Sequence, residues 1–107
     1  MLRFKLREAY YQKIIQKSTG GVRKYLPSGI TDVTTPTKHI EIKTWNSYKH
    51  SLGQLLAYDH YDKKEILEVH LFSADTKYPD EKKQIAIEVF TKYNIKVIDL
   101  DEKSLIT

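Results

Sequence analysis

Between Lys38 and Trp45 the chain alternates with a period of two, placing Ile40 and Ile42 on one side and Glu41 and Lys43 on the other. That period belongs to an extended strand with a face turned to a core, because successive strand side chains point to opposite faces. A strand of this kind needs partners, and its neighbours supply them. Ile30 to Thr34 is rich in β-branched residues and reads as a strand. Thr35-Pro36-Thr37 turns it back against Lys38 to Trp45. Val22 to Leu26 reads as an earlier strand, stopped by Pro27-Ser28-Gly29. The hairpin through Pro36 brings Asp32 beside Glu41 and Lys43.

Helical periodicity surrounds these strands. Arg3 to Ser18 repeats Leu6, Tyr10 and Ile14 at a spacing of four, with Ala9 and Ile15 widening the stripe, and Gly20-Gly21 ends it. Asn46 or Ser47 caps a second helix running to about Asp62, with Tyr48, Leu52, Leu55 and Leu56 as its buried stripe. Gly53 inside that helix costs about 1 kcal/mol relative to alanine and suggests close packing or close approach of something to the backbone. Ile66 to Ser73 is a strand. Pro79-Asp80-Glu81 opens a third helix that stops at Asn94, Ile95 to Leu100 is a last strand, and Asp101 to Thr107 reads as a frayed tail. The order α-β-β-β-α-β-α-β predicts an α/β fold, a mixed central sheet flanked by helices, in one domain over residues 1–107.

Composition narrows the function classes. The chain has no cysteine, which excludes disulfides and thiolate metal sites and agrees with an intracellular setting. No apolar run is long enough to span a bilayer, so no membrane partner is expected. The net charge is only +4, so its distribution matters more than its size. Lys13, Lys17, Arg23 and Lys24, then Lys38, Lys43, Lys49 and His50, flank the Asp32 hairpin, where a polyanion would lie.

Two carboxylates and an ammonium converging on one spot suit a hard divalent cation and an attacking water. The bland alternative is a solvated charge pattern on an exposed sheet face. Asp59-His60-Tyr61-Asp62 reads as a solvated helix end, and His39, His50 and His70 share no zinc spacing. Trp45, Tyr48 and Tyr25 could stack on a base or pack as rim residues.

The element order and the pattern Asp32, then Glu41-x-Lys43, resemble the PD-(D/E)XK nuclease superfamily, with its restriction-endonuclease-like fold. Gly29-Ile30-Thr31-Asp32 resembles the glycine-led approach to the metal-binding aspartate in Holliday-junction resolvase-like and virus-type replication-repair members. Gln54-Leu55-Leu56-Ala57-Tyr58 resembles the helix motif of RecB-like and Cas4-like members. Thr31 stands where the name-giving proline would be.

The resemblance implies Asp32 and Glu41 as ligands of Mg²⁺ or Mn²⁺, joined by the backbone carbonyl of Ile42 and, through a water, by Glu8. Lys43 would orient the attacking water, and Gln54 would steady it. Tyr58, Arg23, Lys24, Trp45 and Lys49 would be positioned to contact DNA. The expected function is a divalent-metal-dependent DNA endonuclease, for which a homodimer would allow both strands to be cut. The alternative is a catalytically silent DNA-binding or assembly module on the same fold.

Overall fold

The strand at Lys38 to Thr44 becomes the spine of the molecule because both of its edges are paired. The computed structural model describes the backbone of residues 2–102 and the side chains of residues 7–102. Its elements are α1 (Leu2–Thr19), β1 (Tyr25–Leu26), β2 (Gly29–Ile30), β3 (Val33–Thr34), β4 (Lys38–Thr44), a 3₁₀ turn (Trp45–Ser47), α2 (Tyr48–Tyr61), β5 (Ile66–Phe72), α3 (Asp80–Lys92) and β6 (Ile95–Asp99). The main sheet has the order β3-β4-β5-β6, and β1-β2 form a separate small hairpin. β3 runs antiparallel to β4, with Val33 opposite Ile40, whereas β4, β5 and β6 are parallel. Parallel neighbours require crossovers, and α2 and α3 provide them. This is a mixed α/β sheet flanked by helices, as the element order predicts.

Both faces of the sheet are covered. On one, Leu67, Val69 and Leu71 of β5 and Ile95 of β6 pack with Leu55 of α2 and with Ala86 and Phe90 of α3, closed by Trp45. On the other, Val33, Ile40, Ile42, Phe72 and Leu100 pack against Ile15 and Tyr11 of α1. β4 therefore sends Ile40 and Ile42 to one core and His39 and Glu41 toward the other, and all four are buried. The exposed sheet face that would have solvated Glu41 does not exist.

Several sequence expectations need correction. The early strands are shorter than expected: Val22 contributes only an isolated bridge to Thr34, and Ile30 to Thr34 is broken at Thr31-Asp32. The break arises because Thr31 donates its N–H to the Lys24 carbonyl and Asp32 uses its side chain rather than its backbone on β4. The α1 stripe is rotated by one residue. Tyr11 and Ile15 face the core, whereas Tyr10 and Ile14 are 62% and 46% exposed; Leu6 lies outside the described side chains. In α2, Ser51 and Tyr58 are buried and Leu56 is not. Gly53 has no close neighbour: a Cβ placed there would meet nothing within 4 Å. Asp101 is not part of a frayed tail, because its carboxylate accepts from the Ser73 N–H and from Lys83, and the rest of the expected tail, residues 103–107, lies outside the described residues.

Candidate functional site

Asp32 lies just past the point where the β3–β4 ladder ends. There its Oδ2 accepts the Ile42 N–H at 2.8 Å, taking the place a strand neighbour would have filled. The carbonyl and N–H of a strand residue point to the same side, so the Ile42 carbonyl is directed toward this same edge. The register places Asp32 across from Glu41, and the two carboxyl groups share a hydrogen bond. Burial raises both above the ordinary carboxylate range. For Glu41 the neighbouring Asp32 charge adds to burial and outweighs Lys43, pushing its pKa up to about 9. At neutral pH the shared proton therefore sits on Glu41. Its Oε1 is buried and, among the described residues, has no hydrogen-bond partner. Lys43 is half-buried and acts electrostatically on both carboxyl groups, pulling them the other way.

The remaining sequence candidates fall into distinct places. Gln54 donates to the Tyr58 hydroxyl at 3.4 Å, while its own Oε1 is buried without a partner among the described residues. Tyr58 is 2% exposed and donates its hydroxyl to the Ile30 carbonyl at 2.9 Å, pinning the β1–β2 hairpin. It is a scaffold residue with no surface to offer DNA. Glu8 on α1 adds a like charge felt by Glu41. Arg23 is exposed and its charge is felt by Asp32, whereas Lys24 is engaged with Asp62 at 2.8 Å. Lys49 is exposed on the first turn of α2. Trp45 is fully buried and stacks on Tyr78, so it cannot receive a base.

Could these residues hold a cation? A buried carboxyl oxygen without a partner is the kind of atom an ion or water satisfies. Asp32, Glu41 and the Ile42 carbonyl form an all-oxygen donor set, suited to Mg²⁺ or Mn²⁺. Among the described residues no group of three or more His, Asp or Glu side chains is gathered for a metal. The fit is that of an ion keeping several waters, which Mg²⁺ commonly does.

Sequence reasoning missed a polar chain behind the site. His39 is fully buried, with Nε2 2.6 Å from the Asp62 carbonyl and Nδ1 2.8 Å from Thr34 Oγ1. Thr34 Oγ1 contacts Thr31 Oγ1 at 2.8 Å, and Thr31 Oγ1 accepts the Lys24 N–H. Thr31, next to Asp32, is thus tied to the end of α2. Burial lowers the His39 pKa, which keeps the ring neutral and able to both donate and accept. The threonine spacing in Thr31, Thr34 and Thr35 was the available signal, and it passed for strand propensity. A second missed group is Lys83, buried between Asp99 at 3.1 Å and Asp101 at 2.9 Å.

Three proteins of Acanthamoeba polyphaga mimivirus match the chain, each named a putative KilA-N domain-containing protein. L32 is 36% identical over 72 residues, which is 66% of this chain and 19% of the relative. L33 is 34% identical over 88 residues, covering 80% of this chain and 33% of the relative. R878 is 34% identical over 89 residues, covering 78% and 24%. The chain therefore spans a fifth to a third of the length of these relatives. No family model and no solved structure matches it. The resemblance to PD-(D/E)XK nucleases is corrected accordingly: the relatives carry the KilA-N name, not that of a nuclease. Among the described residues no helix is long and apolar enough to cross a membrane.

Proposed function

We propose that this chain is a DNA-binding module whose central polar cluster of Asp32, Glu41 and Lys43 meets the phosphate backbone through a divalent cation. The observation that carries the reading is the buried carboxyl pair itself, held beside Lys43 and the exposed Arg23. Two carboxylates alone would repel a phosphate. A cation taken up in exchange for the Glu41 proton reverses the local sign, and Arg23, Lys43 and Lys49 extend the positive surface. The similarity to viral proteins named for a KilA-N domain supports the DNA half of this reading.

A second reading, phosphodiester hydrolysis at the same residues, is favoured by one observation: Lys43 acts on both carboxyl groups at once. A bound Mg²⁺ or Mn²⁺ would neutralise the phosphate and acidify a water. Asp32 and Glu41 would hold the ion, and the Lys43 ammonium would stabilise charge on the phosphate oxygens.

Fluorescence anisotropy with labelled DNA, titrated with salt in Mg²⁺ or in EDTA, tests the first reading. Affinity should fall by about 10-fold or more between about 50 and 200 mM salt, because phosphate contacts release counterions. Mg²⁺ should tighten binding by the wild type and not by Asp32→Ala. Salt-independent binding would remove the DNA reading. Supercoiled plasmid incubated with Mn²⁺ separates the second reading: nicking lost in Lys43→Ala supports hydrolysis, and equal nicking by both proteins ends it.

A further inference from the structure

The β1–β2 hairpin presents an aromatic ring that the fold does not use. Tyr25 is 78% exposed, and Ile30, its direct cross-strand partner, is 37% exposed. Opposed residues of a strand pair lie on the same face, so the two side chains form one outward apolar patch. The other pair, Leu26 and Gly29, forms the inward face. A Cβ at Gly29 would lie 3.8 Å from the Tyr58 ring, so the hairpin rests on α2. It is also fastened at its root. Tyr58 donates to the Ile30 carbonyl, Thr31 N–H donates to the Lys24 carbonyl, Lys24 N–H donates to Thr31 Oγ1, and Lys24 pairs with Asp62. Asp32 follows two residues after Ile30.

We propose that Tyr25, on the hairpin that leads into Asp32, is a stacking platform for an unpaired nucleobase, so that single-stranded or locally opened DNA is preferred to intact duplex. Resting on the DNA-binding reading above, this names its substrate class. Three features select the occupant. The ring is held by a fastened hairpin, so stacking costs little ordering entropy. The patch is small and adjoins the exposed Arg23, a setting that suits a base attached to a phosphate rather than an apolar protein surface. The bases of an intact duplex are stacked on one another and offer no free π-face to a side chain at the groove edge.

The experiment measures anisotropy-derived affinity of wild type, Tyr25→Phe and Tyr25→Ala for a thymidine oligonucleotide and for a duplex of equal length. An oligonucleotide carrying 2-aminopurine reports stacking directly. Tyr25 is at the surface, so both variants fold. Wild type and Tyr25→Phe should bind the single strand more tightly than the duplex and quench 2-aminopurine. Tyr25→Ala should lose about 10-fold on the single strand and lose the quenching, with duplex affinity unchanged. Unaltered single-strand affinity and quenching in Tyr25→Ala, or equal losses on both DNAs, would overturn the platform while leaving salt-dependent DNA binding in place. Absence of salt-dependent binding by the wild type to either DNA would overturn the DNA reading and the platform with it.

Discussion

Glu41 is kept in a protonation state that a free carboxyl abandons near pH 4.5. Its burial beside Asp32 raises its folded pKa to about 9, well above the unfolded value. A raised folded pKa means that the stabilising contribution is complete below the unfolded value and is lost as pH rises through the folded one. The metal-free protein should therefore soften between about pH 5 and 9 through this residue. Glu41→Gln keeps the shape and a hydrogen-bond donor toward Asp32 without a titrating group. In EDTA at alkaline pH its melting temperature should exceed that of the wild type by at least about 4 °C, corresponding to roughly 1 kcal/mol in a domain of this size. The gap should close toward pH 5. Adding Mg²⁺ should raise the wild-type melting temperature and leave the variant unmoved, because only the carboxylate exchanges its proton for an ion. Identical melts at every pH would show that Glu41 is not a strained acid.

At the scale of elements, two glycines separate what local pattern reveals from what packing decides. Gly21 follows the helix stop at Gly20, where φ is +73°, and a Cβ on Gly21 would lie 2.5 Å from Val33 Cγ1. Gly53 sits exposed in α2 with open space around it. Gly53→Ala should stabilise by about 0.5–1 kcal/mol through helix propensity alone. Gly21→Ala should destabilise by about 1–3 kcal/mol, because Val33 is fully buried and the β3–β4 edge would have to shift. Urea titrations of both variants measure this, and a loss of stability in Gly53→Ala would contradict the open geometry. The same contrast explains what was legible. The alternation of β4, the left-handed stop at Asn94 (φ 59°) and the opening of α3 after Pro79 are local, and sequence suffices for them. The α1 stripe is not local. Tyr10-Ile14 and Tyr11-Ile15 are adjacent pairs at the same spacing of four, and only contact with Phe72 and Ile40 chooses the second. The site was half legible for the same reason: Asp32, Glu41 and Lys43 meet because of strand register, whereas the burial that alters their chemistry comes from tertiary packing, with Tyr58 of α2 on the same side of β4.

Over the whole molecule, charge is arranged so that acid acts on different groups from alkali. On the sheet face opposite Glu41, Glu68 is buried with His70 at 2.8 Å and Lys38 at 3.2 Å, and His70 with Lys38 lowers its pKa to about 2 against the pull of burial. Asp62, held by Lys24, and Asp101, held by Ser73 and Lys83 against the pull of burial, are also lowered. Groups with depressed folded pKa contribute stability that is present above their unfolded values and lost as pH falls through the folded ones. For Glu68 that window opens near pH 4.5 and extends toward pH 2, and for Asp62 and Asp101 it lies below their ordinary value of 3.8. His39 obeys the same sign from a higher start, since its lowered pKa penalises the fold as pH drops below about 6.5. The acid limb should therefore have two parts, one beginning below about pH 6.5 from His39 and a second beginning below about pH 4.5 from Glu68 and its fellows. Glu68→Gln should lower stability at pH 7 by about 1–3 kcal/mol, because it leaves Lys38 and His70 without their carboxylate. The difference from the wild type should shrink toward pH 2, where the wild-type carboxyl is itself protonated. Denaturant midpoints of the two proteins across that range give the answer. Parallel curves down to the lowest pH would mean that the acid limb is governed by groups other than Glu68.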